Sequence, residues 1–278
     1  TVGPNVYGLY FGIFNIAFIL QIISDLGVQN FNSRTIAQNP QRLKEFLPGI
    51  LGLKLILSVF YLAIGLIFAA IFGYLASSME IFLMVSLNLI ILSTILYLRT
   101  NIAAKGHYRL DSFISVLDKI LLIGILSYFL FVPENKETFN IYTFVYSQTV
   151  SLGIVALLVL AINFKLAKII KIKFDLKFSK EIIRKSLPFS LVIILMSLYM
   201  RMDGFMLESL LDDKAFQAGV YAASFRVYEA FNMIGYLFAV LLLPMFASLL
   251  KKREDLLALI KSSHNLILAI STTIVTAC

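Results

Sequence analysis

Residues 55–72 read LILSVFYLAIGLIFAAIF, a run with one serine and no charged side chain. The run is apolar on every face of a helix, and it lacks the period of two that a β-barrel strand shows. A helix that rises 1.5 Å per residue needs about 20 residues to cross a hydrocarbon layer of about 30 Å. Residues 48–74, which contain this run, are therefore predicted to form a membrane-spanning helix.

Seven further apolar runs of similar length occupy most of the remaining chain. The eight predicted spans, named helices A to H, are residues 8–24, 48–74, 81–98, 112–132, 141–164, 187–210, 219–250 and 256–278. The 278 residues are 60% hydrophobic and 14% charged, whereas a soluble domain is about half apolar and a quarter charged. This composition excludes a soluble enzyme and predicts an all-α fold, a polytopic transmembrane helix bundle.

The basic residues indicate how this bundle is oriented. Eighteen of the 24 Lys and Arg residues fall in the A–B, C–D, E–F and G–H connections, which are therefore predicted to face the cytoplasm. Residues 165–186 between E and F carry eight of them. We interpret this segment as a contact with anionic membrane lipid, or as a linker between two lobes with a helix on the lipid surface. The net charge of +8 is thus an orientation signal, and no nucleic acid partner is expected.

The chain ends indicate a fragment of a longer protein. Thr1 is not an initiator methionine, and the predicted topology begins outside the cell without a preceding span. We therefore expect at least one helix before Thr1 and an unknown number after Cys278. Cys278 is the only cysteine, and no His, Cys, Asp or Glu cluster has metal-ligand spacing, so neither a metal nor a cofactor is expected.

Helices F and G carry charges at bilayer depth, where an ionisable group marks a pathway or a partner. Asp203 and Arg226 are each about 10 Å below the predicted outer surface, and Arg201 and Glu229 are each about 15 Å below it. Two interhelical ion pairs are one interpretation. Because residues two apart on a helix point in different directions, only one of Arg201 and Asp203 can face helix G. We therefore favour an interpretation in which Asp203 orients Arg226 and both arginines line a cavity and bind phosphate oxygens, with Glu229 as a further supporting acid.

Three other charged residues have weaker interpretations. Asp25, at the end of helix A, is predicted to bind Arg34, or to bind a cation of the other lobe as a cytoplasmic gate. Lys54 is predicted to extend its amine to the membrane interface. Glu208 is interpreted as a solvated acid close to the outer surface.

The sequence also contains an internal repeat. NVYGLYFGIFN at residues 5–15 resembles GVYAASFRVYE at residues 219–229, and six helices separate the two starts. Because six is even, both segments enter the membrane in the same direction. A parallel repeat of this kind is a common transporter design with the substrate path between two lobes.

Four segments carry a resemblance to a known family. They are GPNVYGLYFGIFN (3–15), SDLGVQNFNSRTIAQNP (24–40), LYLRTNIAAKGHYRLDSFISVLDKILLIGIL (96–126) and SLYMRMDGFMLESLLDDKAFQAGVYAASFRVYEA (197–230). In their order and spacing they resemble the polysaccharide (lipid-linked oligosaccharide) flippases of the multidrug/oligosaccharidyl-lipid/polysaccharide exporter superfamily. The resemblance implies 12 or 14 helices in two six-helix lobes, with A to H as the second to ninth. Residues 1–164 would then belong to the N-terminal lobe, 165–186 to the linker and 187–278 to the start of the C-terminal lobe.

The resemblance further implies a function. Such a protein exports undecaprenyl-pyrophosphate-linked oligosaccharide across the bacterial inner membrane by alternating access, for surface polysaccharide biosynthesis. The expected partners are this lipid-linked oligosaccharide and membrane lipids, with other polysaccharide-assembly proteins as candidates.

Two other functions stay open. A multidrug or cation antiporter of the same fold needs a coupling carboxylate deep in the first lobe, where only Asp25 and Asp118 are available. A membrane polysaccharide polymerase or transferase needs a catalytic loop, but the predicted outer connections are short and His107 and His264 are isolated. We therefore expect a transporter with no catalytic residues rather than an enzyme.

Overall fold

The computed structural model describes residues 3–74, 78–131, 139–168, 171–210, 214–249 and 253–277. All regular secondary structure within these ranges is helical, which confirms the predicted fold class. The α-helices in these ranges are α1 (Pro4–Leu20), α2 (Val28–Gln38), α3 (Leu43–Ile71), α4 (Met79–Ala104), α5 (Tyr108–Phe131), α6 (Ile141–Ala167), α7 (Leu176–Leu210), α8 (Lys214–Leu249) and α9 (Arg253–Ala277), with 3-10 turns at Gln21–Ser24 and Pro40–Arg42. The chain divides into two compact units, Thr1–Val220 and Tyr221–Cys278.

The predicted spans correspond to the long helices. Spans A to F form α1 and α3 to α7, and all six are long and apolar enough to cross a membrane. Spans G and H form α8 and α9, helices of 36 and 25 residues. The predicted span ends at residues 132, 250 and 278 lie outside the described part of the chain.

The basic segment between E and F is more helical than predicted. Helix α7 begins at Leu176, eleven residues before the predicted start of span F, and so includes half of the segment 165–186. Asp175 begins this helix, because its carboxylate accepts hydrogen bonds from the backbone N–H groups of Lys177 (2.9 Å) and Phe178 (3.1 Å). Polar composition therefore marks where the chain leaves the hydrocarbon, and it does not mark where the helix begins. The division into lobes at this segment stays a prediction.

The connection between A and B contains a helix that we did not predict. After α1 the chain reverses at Leu26 (φ 44°) and Gly27 (φ 73°) and continues as α2. A Cβ at Gly27 would overlap the backbone of Ser186 and Ser190 on α7. Glycine is therefore required here both by the left-handed backbone and by the close approach of α7.

Two apolar clusters form the core of the unit Thr1–Val220. One cluster joins α2, α3, α4 and α6 around Leu47, Tyr97 and Ile102, and the other joins α1, α3, α4, α6 and α7 around Ile13, Tyr61 and Phe82. Helix α5 lies at the periphery, with only Ile114 buried. Leu117 and Leu121 pack partly against the core, whereas Phe113, Ile120 and Ile123 are exposed and are left for the lipid to cover.

Helices α1 and α7 approach each other closely where small residues face larger ones. On α1, Gly12 faces the side chain of Glu208 so closely that a Cβ would overlap it. On α7, Gly204 faces Asn15 and Phe11 in the same manner. Glycines at such positions let the backbones of membrane helices approach each other.

Three buried asparagines connect α2, α4 and α6. Asn32 donates to Asn101 (2.6 Å), Asn101 donates to Asn163 (3.1 Å), and Asn163 donates to the carbonyl oxygen of Leu98 (3.1 Å). None of the three side chains is exposed. A buried amide is costly unless it is hydrogen-bonded, so the chain of bonds holds these helices in one register.

We expect Asn101→Ala to destabilise the protein by about 1–3 kcal/mol, because it leaves the amides of Asn32 and Asn163 short of a buried partner. Thermal unfolding in detergent measures the effect as a lower Tm. Asn30→Ala is the matched control, because Asn30 is an exposed asparagine on the same α2. Equal Tm values for the two variants would contradict the structural role of the network.

Candidate functional site

Arg201 lies on α7 against an aromatic face of α1. Its guanidinium carbon is 5.0 Å from the ring centroid of Phe18 and 5.7 Å from that of Phe14. Phe14 and Phe18 are one turn apart and so share a face of α1. Cation–π contacts of this kind are worth about 0.5–2 kcal/mol each. The structure therefore holds Arg201 at a defined position in the contact between α1 and α7.

A small cavity lies beside this arginine. Its volume is about 150 Å³. Two of its lining residues are Phe18, whose ring lies under the guanidinium of Arg201, and Ser197, one turn before Arg201 on α7. The full lining is Phe18, Gln21, Ile22, Asp25, Gln29, Ser93, Leu96, Ile193 and Ser197. At about 30 Å³ for each water molecule the space holds about five waters. The lining is polar at the end where α1 turns into α2.

A buried ion pair forms the polar end of the cavity. The Nζ of Lys54 is 2.7 Å from a carboxylate oxygen of Asp25 and donates to the hydroxyl of Ser93 at 2.9 Å. The side chain of Lys54 is 3% exposed and that of Asp25 is 14% exposed. The other oxygen of Asp25 accepts from the backbone N–H of Gln29, in the first turn of α2. The pair thus anchors α3 to the turn between α1 and α2.

These contacts correct two interpretations. Lys54 does not extend to the membrane interface, because packing around the middle of α3 encloses its side chain. Its polar partners among the described residues are Asp25 and Ser93. Asp25 binds a cation, but that cation is Lys54 and not the predicted Arg34, which is exposed on α2.

The other predicted site residues lie further along the chain. Asp203 is exposed, and its carboxylate accepts a hydrogen bond of 2.7 Å from the backbone N–H of Gly204. In the second unit, Arg226 donates to Glu229 at 2.9 Å, and the two are one turn apart on α8. Glu229 thus contacts Arg226 within one helix, whereas its predicted partner was Arg201. The interhelical pairs Asp203–Arg226 and Arg201–Glu229 stay predictions.

Glu208 is a buried residue that the sequence pattern did not indicate. Its side chain is 6% exposed and accepts a hydrogen bond from the hydroxyl of Tyr74, so the interpretation as a solvated acid is wrong. Its position near the end of α7 suggested solvent, but α1 covers it at Gly12. The one sequence feature that relates to this burial is the glycine on α1 that lets another helix approach. A glycine does not by itself identify the residue that packs against it.

The chemistry available at the α1–α7 contact is the recognition of an anion. The guanidinium of Arg201 has a planar set of N–H donors that matches phosphate oxygens and stays charged at any physiological pH. The adjacent ion pair is neutral overall, so it does not compete for an anion. The serine and glutamine side chains that line the cavity offer hydrogen bonds to hydroxyl groups.

One comparison with known proteins gives a match. A family model described as "Polysaccharide biosynthesis protein" matches residues 1–250 of the chain. No curated protein and no solved structure matches. The family match confirms the resemblance drawn from the four sequence segments, and together with the six long apolar helices it identifies a multi-pass membrane protein.

We expect Lys54→Met and Asp25→Asn each to destabilise the protein by about 3–5 kcal/mol, because each leaves a buried charge without its partner. The double variant removes both charges and should recover much of that loss. Thermal unfolding of all four proteins in detergent gives the coupling. Lys119→Met is the control: it breaks the pair with Asp118, in which Lys119 is 66% exposed, and should cost no more than about 1 kcal/mol. Additive single effects would contradict the buried pair.

Proposed function

The chain belongs to the polysaccharide biosynthesis protein family, and on that premise we propose that it flips a lipid-linked oligosaccharide across a bacterial inner membrane. The substrate is an undecaprenyl-pyrophosphate-linked oligosaccharide, which moves from the cytoplasmic to the outer leaflet by alternating access. The product supplies surface polysaccharide biosynthesis. Family members are generally transporters and not enzymes, and the proposal assigns no catalytic residue.

The position of Arg201 carries the proposal. It is a cation at membrane depth, held over Phe14 and Phe18 and next to a cavity that is polar at one end. A charge at this depth is expensive to keep, so its presence favours a pathway for a charged substrate. The pyrophosphate of a lipid-linked sugar is such a substrate. We assign Arg201 and Arg226 to phosphate binding and Asp203 and Glu229 to orienting these arginines.

The small size of the cavity favours a moving contact between α1 and α7. Pockets that hold small ligands usually enclose about 300–1,000 Å³, whereas this cavity encloses about 150 Å³. Asn15 is 1% exposed in the same contact, and neither polar atom of its side chain has a hydrogen-bond partner among the described residues. An unsatisfied buried amide destabilises the packed arrangement. Separation of α1 from α7 would hydrate Asn15 and make room for sugar.

The membrane potential supplies part of the driving force. An inside-negative potential favours outward movement of an anion by about 2.3 kcal/mol per charge per 100 mV. The polyprenyl tail stays in the lipid during this movement, because only the phosphorylated sugar needs a hydrated path. Asp25 remains a candidate for the cytoplasmic gate, with Lys54 as its partner in this arrangement. The part of Arg34 in such a gate stays a prediction.

The contacts of Asp25 bear on the antiporter alternative. A cation antiporter needs a carboxylate that is available to a proton or sodium ion deep in the first lobe. Asp25 is instead neutralised by Lys54 at 2.7 Å, and Asp118 lies 2.6 Å from Lys119. Both carboxylates therefore already have cationic partners. The flippase is the better supported of the two functions.

We expect Arg201→Ala and Arg226→Ala, each in the full-length protein, to abolish surface polysaccharide without loss of the protein from the membrane. Each variant removes a phosphate-binding cation from the path. Polymer at the cell surface and protein in the membrane fraction are measured together. Flipping of a fluorescent undecaprenyl-pyrophosphate oligosaccharide in liposomes then tests transport directly.

Two further variants sharpen this test. Arg184→Ala removes an exposed arginine near the start of the same α7 and should leave polymer normal. Arg201→Lys keeps the charge but loses the planar fork, so we expect partial activity at most. Normal polymer in both Arg201→Ala and Arg226→Ala would contradict the assignment of these two arginines to phosphate binding.

A further inference from the structure

A basic pocket lies where the A–B and C–D connections meet. Its volume is about 520 Å³, within the range of about 300–1,000 Å³ that is usual for pockets that hold small ligands. Arg42 and Lys44 lie at the start of α3, and Lys105 follows the last residue of α4. The full lining is Pro40, Gln41, Arg42, Lys44, Glu45 and Lys105. Three cations thus share the pocket with one carboxylate.

Contacts with the surrounding helices hold two of these cations in place. The guanidinium carbon of Arg42 lies 4.8 Å from the ring centroid of Phe46, and Phe46 is itself buried. The Nζ of Lys105 donates a hydrogen bond of 3.2 Å to the carbonyl oxygen of Leu166 on α6. An ammonium group has three N–H donors, so this contact leaves donors of Lys105 for a ligand. The pocket is therefore an ordered part of the fold.

The positive charge of the pocket is not neutralised within the described part of the chain. There, no carboxylate lies at ion-pair distance from Arg42, Lys44 or Lys105. The pKa of Glu181 on α7 is lowered mainly by the hydrogen bond and charge of Lys185, and more weakly by the charge of Arg42. Glu181 is thus already paired. Three cations and one carboxylate leave the pocket positive, which favours an anionic ligand.

The position of the pocket matches the level of lipid headgroups on the predicted cytoplasmic side. Both connections that form it are predicted to face the cytoplasm. Glu45 is the last charged residue before the apolar run FLPGILGL at residues 46–53. Three residues after Lys105, the exposed Tyr108 begins α5, and Phe113 on the same helix is also exposed. A cationic pocket at the edge of lipid-facing apolar side chains suits a phosphate that is attached to acyl chains.

The pocket is separate from the cavity beside Arg201. Gln29, at the start of α2, lines that cavity, whereas the basic pocket begins at Pro40, just after the end of α2. Helix α2 has 11 residues and is therefore about 16 Å long. The two linings share no residue in the described part of the chain. A ligand in the basic pocket thus lies outside the substrate path assigned to Arg201, which favours a resident lipid over the transported one.

We propose that the basic pocket binds the phosphate of an anionic phospholipid from the cytoplasmic leaflet. Arg42 presents its planar fork to the phosphate oxygens, and Lys44 and Lys105 add charge and further N–H donors. The acyl chains stay in the bilayer. The bound lipid joins the start of α3 to the end of α4 and so stabilises the folded protein. This inference does not depend on the proposed function.

Native mass spectrometry of the full-length protein in detergent tests the proposal, with phosphatidylglycerol as the probe. One lipid should remain bound per protein in a saturable manner. The triple variant Arg42→Gln, Lys44→Gln, Lys105→Gln should weaken this binding about a hundredfold, because each cation near an anionic lipid contributes about a factor of five. Glu45→Gln removes the opposing charge and keeps all three cations, so it should tighten binding about fivefold. Unchanged affinity in Glu45→Gln would overturn the proposal even if the triple variant did not fold.

A second triple variant, Lys171→Gln, Lys177→Gln, Lys180→Gln, is the matched control. It removes the same number of cations from exposed positions of the segment 165–186, outside the pocket lining. Because salt screens charges that are far from the bound phosphate, its affinity for phosphatidylglycerol should change by no more than about threefold. Equal losses in the two triple variants would overturn the pocket, since surface charge alone would then account for the binding.

Three other probes distinguish the sources of a phosphate. Phosphatidylcholine, whose choline group cancels the phosphate charge, should bind at least about tenfold more weakly than phosphatidylglycerol. Equal binding of phosphatidylcholine would overturn the proposal, as would displacement of phosphatidylglycerol by micromolar inorganic phosphate, which indicates a site for a free anion. Tighter binding of undecaprenyl pyrophosphate through the same three cations would also overturn it, because the pocket would then belong to the transported lipid.

Discussion

A charged side chain in a hydrocarbon layer needs an opposite charge, a polar partner or water, because lipid offers none of these. This constraint explains where the helices of the first unit meet. Lys54 in the middle of α3 is 2.7 Å from Asp25 at the turn between α1 and α2, and Ser93 on α4 supplies a second acceptor. The guanidinium of Arg201 lies over the aromatic face of α1. Lys54 and Arg201 thus each join at least two helices, and the fold depends on these connections as well as on apolar packing.

The contact between α1 and α7 combines features of a stable interface with features of one that opens. Gly12 and Gly204 allow the backbones to approach closely, which favours a stable contact. Asn15 and Glu208 are buried polar groups in the same contact, and burial of such groups lowers the free energy gained by closing it. An interface that balances these effects can separate at modest cost. The alternating access that we propose requires this property of the helices that line a substrate path.

The sequence predicted helices well and their partners poorly. A run such as residues 55–72 is apolar on all faces, so it indicates a span but gives no direction in which a neighbour lies. Depth along the helix is the one signal in the sequence that relates charges on neighbouring spans. Asp25 and Lys54 both lie near the predicted cytoplasmic ends of A and B, and this shared depth indicates that they can pair. Glu208 offered no such signal, because its burial depends on Gly12, which is 196 positions earlier in the chain.

The sequence alone therefore determined the class of protein: long apolar runs require membrane-spanning helices, basic connections indicate their direction, and four segments indicate the family that the match over residues 1–250 confirmed. These properties depend on composition and local order, which a linear sequence records. Only the tertiary structure decided that Lys54 binds Asp25, that Arg201 packs on Phe18 and that Glu208 is enclosed. Such contacts depend on how each helix is rotated about its axis. That rotation results from packing between residues far apart in the chain, and the hydrophobic pattern of an all-apolar helix does not encode it.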